Sequence, residues 1–139
     1  MKRRILAALA YIIPTFPLGF FWHLTVFADY YKSLAVYRED IVIPLGVTSM
    51  VIQGIIWALI YERMFAGEPV VRGAVKFAGL AAPLAWSFMV VAVSAKHHMS
   101  SVSGYLLIES AFVALHYSVV SPLIAAVYAK SGAASSVLS

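Results

Sequence analysis

The segment YLLIESAFVALHYSVVSPLIAAVY, from Tyr105 to Tyr128, is apolar enough to cross a bilayer. It nevertheless holds a carboxylate, Glu109, and seven residues later an imidazole, His116. An ionisable group inside such a segment is costly unless it is paired or faces a polar cavity, so both are candidate functional residues. On a helix they share a face and lie roughly 10 Å apart along the axis. They are too far apart to bond each other and are expected to line one elongated pocket or to find partners on other helices. Glu109 lies about one turn from a helix end, close enough to reach the headgroup layer. For His116 the simpler expectation is a neutral ring hydrogen-bonded to a neighbouring helix.

Other segments offer partners. Gln53, Trp57 and Trp86 are polar or amphipathic side chains in otherwise apolar runs, and His23 lies near the end of the first run. A buried indole needs an acceptor for its N–H. Together these residues suggest an aromatic-walled pocket with Glu109, His116, Gln53, Trp57, Trp86 and His23 as its ligand-binding set. A metal is the lesser reading. Adjacent His97 and His98, with His23 and Glu109 at similar depth, supply good donor types for a transition metal. However, adjacent histidines diverge on a helix, and no HxxxH or ExxH pair is present. Haem held between His23 and His116 is a second metal option, and no cofactor is expected outright. Walker, dinucleotide, GxSxG and HExxH patterns are absent, and no serine–histidine–acid set stands out, which favours a non-catalytic chain.

The elements that position these residues follow from hydropathy. Of 139 residues, 63% are hydrophobic and 12% charged, with a mean hydropathy of +0.90. A soluble domain carries about a quarter charged residues, so most of this chain has lipid as its solvent. Four spans are expected, at about 5–28, 41–61, 77–95 and 105–129, all helical because a lone strand leaves its backbone unpaired in lipid. The basic start of the first span resembles a signal peptide, but its apolar run is too long, and a retained anchor is expected. A single membrane domain over 1–139 is expected.

Lys2, Arg3, Arg4, Arg63, Arg72, Lys76 and Lys130 fall on one side of these spans, and Lys32, Arg38 and Lys96 on the other. The richer side is expected to be cytoplasmic. The fold class is therefore an all-α integral membrane protein with four transmembrane helices in an antiparallel up-down bundle and both termini cytoplasmic, in a bacterial inner membrane. The net charge of +4 reflects topology rather than nucleic-acid binding. The segment DYYKSLAVYRED is expected to be a loop with its tyrosines in the headgroup layer. The segment ERMFAGEPVVRGAVK is expected to be a loop broken by Gly67, Pro69 and Gly73. Ala111, Ala114, Ser118, Ser121 and Ala125 form a small-residue stripe suited to close helix approach, within the bundle or against a second copy or partner subunit.

Three functions fit these residues. The first is binding or transport of a small hydrophobic or cationic ligand in an intrabundle pocket, with the chain as a homo-oligomer. The second is a non-catalytic accessory subunit of a larger membrane complex. The third is a metal- or haem-dependent membrane enzyme.

Overall fold

The computed structural model describes residues 1–129. Expectations that involve Lys130 and the tail after it lie outside the described residues. The chain is all-helical among those residues, and four helical segments are long and apolar enough to cross a membrane: Lys2–Val26, Ile43–Met64, Val70–Lys96 and Val102–Tyr128. Large apolar side chains point outward along them, with Leu45, Val71 and Leu107 each two-thirds or more exposed. In water such a surface would drive aggregation, whereas lipid solvates it.

The first segment is α1 (Lys2–Phe21), which continues as a π-helical turn at Trp22–Val26. Pro14 and Pro17 lie inside α1. Each removes a backbone donor and loosens the ladder, and the wider turn follows within two turns. The chain breaks at Phe27 and resumes as α2 (Ala28–Leu34), which stops where Ala35 adopts a left-handed φ of 55°. The stretch expected to be a loop therefore contains a helix. Tyr31 and Leu34, three residues apart on one face, are both buried against the bundle. Tyr31 is thus a core residue rather than a headgroup anchor, while Tyr30 and Tyr37 remain exposed.

Helix α3 (Ile43–Met64) begins with Pro44 in its first turn, where the missing N–H is harmless. Helix α4 (Val70–Trp86) starts just after Pro69, before the expected start near Phe77. Glu68 makes the earlier start favourable. Its carboxylate binds Lys76 at 2.5 Å and Arg72 at 3.4 Å, so the charged first turns are tied down. The Lys76 hydrogen bond holds the Glu68 carboxyl below its ordinary range, with Arg72 adding to the effect. Past α4, a second π-helical turn (Ser87–Val91) leads into α5 (Ala92–Lys96). Helix α6 (Val102–Tyr128) is capped by Ser101 Oγ, which accepts from Gly104 N at 3.1 Å.

Helix α6 is the centre of the bundle: 44% of its apolar window is buried, against 17% for α3. Helices α1 and α4 pack on it, and α3 packs on α1. Arg4 meets Glu62 at 2.6 Å, and Gly67 N donates to Tyr128 O. A separate set of contacts joins the other two connections, with Ser100 N and Oγ donating to Leu34 O and Ser33 O. Near Tyr128 an aromatic core stacks Tyr61 on Tyr128 and sets Phe77 edge-on to Tyr61 and Trp57. The small-residue stripe of α6 divides: Ser121 and Ala125 are buried, while Ala111, Ala114 and Ser118 face outward.

One close approach shapes everything above it. A Cβ on Gly54 would stand 2.8 Å from Ile12 Cγ1 and 3.1 Å from Ala8 O, so α1 and α3 touch there backbone to backbone. From Ile43 to Gln53 no residue of α3 is buried. The two helices diverge from Gly54 outward, and the wedge between them is open.

Candidate functional site

The wedge is a cavity of about 450 Å³, within the range of small-molecule sites. Its walls come from α1, the first half of α3, α6 and the segment before α3, with Met89 on the far side. Phe16, Phe20, Val47, Met50, Phe112 and Val113 make most of that wall apolar, and the polar groups fall into two clusters.

The deeper cluster is built on a period-four row of α1, Tyr11–Thr15–Gly19–His23. Thr15 Oγ1 lies 2.6 Å from Tyr11 O and 2.8 Å from His116 Nε2. A hydroxyl has one proton, and the carbonyl can only accept. Thr15 therefore donates to Tyr11 O, and His116 Nε2–H donates to Thr15. His116 is bonded to a neighbouring helix through Nε2, with its other nitrogen free of protein partners among the described residues. Tyr11 donates to Gln53 Oε1 at 2.6 Å, and Gln53 Nε2 donates to Ser49 Oγ at 3.0 Å. These bonds bridge α1 to α3 and to α6 across the cavity floor.

The shallower cluster centres on Glu109, which is only 3% exposed and so does not reach into headgroups. His23 Nε2 lies 3.1 Å from Glu109 Oε1, and His23 Nδ1 lies 2.9 Å from Gly19 O. The carbonyl can only accept, so Nδ1 carries a proton. A second proton must then lie between Nε2 and Oε1, because two facing lone pairs would repel at this distance. The pair is either imidazolium with carboxylate or imidazole with carboxylic acid, and both are net neutral. That is how Glu109 is tolerated. Tyr37 donates to the same oxygen at 3.4 Å. Tyr31 stacks on Tyr37 and receives a bond from Trp22 Nε1 at 3.1 Å. Burial, reinforced by Glu109, pushes the Tyr31 hydroxyl well above its ordinary range, so it stays protonated. Arg38 at the mouth is held by Asp40 at 2.9 and 3.1 Å.

Of the residues expected to form one site, His23, Gln53 and His116 line the cavity, and Glu109 backs it through His23. The two tryptophans are elsewhere. Trp57 is buried edge-on to Phe77 and Tyr117, with its indole N–H unpaired among the described residues. Trp86 is 39% exposed and bonds Ser110 Oγ at 2.8 Å. His97 and His98 are exposed between α5 and α6. Among the described residues no group of three or more His, Asp or Glu side chains is placed to hold a metal ion. The ring of Phe112 stands 4.4 Å from that of His23 and 5.7 Å from that of His116.

Sequence reasoning did not reach Thr15, Tyr11 or Tyr37. The four-residue spacing Tyr11–Thr15–Gly19–His23 carries a polar row on one helix face and is the signal that identifies the first two. Nothing local points to Tyr37. No protein-family model, curated protein or solved structure matches this chain.

Proposed function

We propose that this chain is a small polytopic membrane protein that binds or transports a small hydrophobic or cationic ligand in the cavity between α1, α3 and α6. The observation that carries the reading is the cavity itself: an apolar wedge with hydrogen-bonding groups at its floor and a neutral proton-holding pair beside it. Ligands of this class sit in mostly apolar pockets oriented by a few polar groups. The spans are read as an antiparallel up-down bundle in a bacterial inner membrane, with both termini cytoplasmic, on the distribution of lysine and arginine. A transporting form is a homo-oligomer, since four helices give one chain few surfaces that can move against each other.

Gly46 tests this. It lines the cavity, and a Cβ there meets nothing within 4 Å, so Gly46→Trp fills the wedge without displacing backbone. Saturable binding of an uncharged aromatic probe, triphenylphosphine oxide, by the detergent-purified protein is expected for the parent and lost in the variant. Equal binding by both proteins would refute the cavity as the site.

A second reading is a non-catalytic accessory subunit. Ala111, Ala114 and Ser118 favour it, because these small residues face outward on the central helix where another backbone can approach. Purification in mild detergent separates the two. A stoichiometric larger partner supports the accessory reading, and a homo-oligomer counts against it.

A further inference from the structure

The hydrogen bonds around His23 constrain what a charged ligand must do. We infer that the cavity exchanges one proton for one hydrophobic monovalent cation, with the His23–Glu109 pair as the exchange site. This rests on the ligand-binding reading of the cavity.

The proton count comes from geometry. Gly19 O keeps a proton on His23 Nδ1, and the 3.1 Å contact keeps one more between Nε2 and Glu109. With that proton the pair is neutral, and a cation entering the wedge finds no counter-charge. Without it the pair carries one negative charge, and the carboxylate faces an imidazole lone pair. Burying that charge alone is unfavourable, and one positive charge beside it removes the penalty. The exchange balances: neutral pair plus cation gives anionic pair with cation bound, plus one released proton. The carboxylate need not touch the ligand. His23 and Tyr37 line the cavity and both contact Glu109 Oε1, so a cation against them is one side chain away. Phe16, Phe20 and Phe112 supply the ring faces that attract a desolvated cation.

No other group near the pair supplies the proton as readily. Tyr31 comes from α2, Tyr37 from the segment before α3, and Tyr105 from one turn earlier on α6, where it donates to Met89 O. All three are phenols. The segment at Ser87–Lys96 presents no ionisable side chain to the cavity, only Met89. Arg38 is matched by Asp40. His116 Nε2–H is committed to Thr15.

The test uses two probes of nearly one shape: methyltriphenylphosphonium, a monovalent cation, and triphenylphosphine oxide, uncharged. Titration calorimetry of the full chain in buffers of different ionisation enthalpy counts the protons released per ligand bound. One proton is expected with the cation and none with the oxide. Cation affinity is expected to rise about tenfold per pH unit while the pair holds its proton. Glu109→Gln keeps an amide N–H to donate to Nε2 but has no proton to release. It is expected to lose the cation and its pH slope.

Cation binding without proton release, or an E109Q protein that binds the cation with parental affinity, would overturn the exchange and leave the cavity reading intact. Binding of the oxide alone does the same. Failure of both probes removes both readings. Cooperative thermal unfolding of E109Q in micelles shows that it is folded, and the proton count on the parent decides the matter if it is not.

Discussion

Coupling between His23 and Glu109 can be measured without any ligand. Replacing His23 with Leu removes the Nε2 partner 3.1 Å from the buried Glu109 carboxylate. If the pair is ionic, the lost attraction is about 5 kcal/mol at an effective dielectric of 20. Protonation of the stranded carboxylate limits the damage, and breaking buried pairs typically costs about 3–5 kcal/mol. If the pair is carboxylic acid with imidazole, only a neutral hydrogen bond is lost, at about 1 kcal/mol. Glu109→Leu strands the imidazole instead, and the double variant strands neither. A double-mutant cycle on H23L, E109L and H23L/E109L, read by unfolding in mixed micelles, therefore reports the coupling and the proton's position together. A coupling near 1 kcal/mol places the proton on Glu109, and one of about 3 kcal/mol or more places it on His23. Single effects that add to within about 0.5 kcal/mol would refute the pairing itself.

Two further substitutions test the frame of the site. Thr15→Val removes the acceptor of His116 Nε2–H while conserving shape, with an expected loss of about 1 kcal/mol in micellar unfolding. Thr15→Ser should recover most of it, and a neutral Thr15→Val would contradict the assigned bond. Gly54→Ala forces a Cβ against Ile12 and the Ala8 carbonyl. Ile12 can move aside but Ala8 O cannot, so a loss of about 1–3 kcal/mol is expected. The same change should weaken oxide binding by shifting α3, whereas Gly46→Ala, into open space, should alter neither quantity.

How much of this was legible before folding depends on the range of each signal. Four long apolar runs imply four spans because hydropathy and length are local properties, and four such helices are present. Glu109 and His116 stood out because an ionisable group in an apolar run is conspicuous on its own. The partners were another matter. His23 and Glu109 are 86 residues apart, and Thr15 and His116 are 101 apart. Periodicity shows which residues share a helix face but not what that face meets. That is why Trp57 and Trp86, each sensibly placed on its own helix, do not line the cavity with Gln53 and His116. It is also why Tyr31, whose type and position suit the headgroup layer, lies in the core. Hydropathy along the chain is enough to expect lipid as the main solvent, a helical backbone and a partner for Glu109. Tertiary packing decided which partner. Helices α1 and α3 pack together from the Arg4–Glu62 pair to Gly54, and α3 is unburied beyond it, so the cavity depends on a crossing geometry that neither helix encodes by itself.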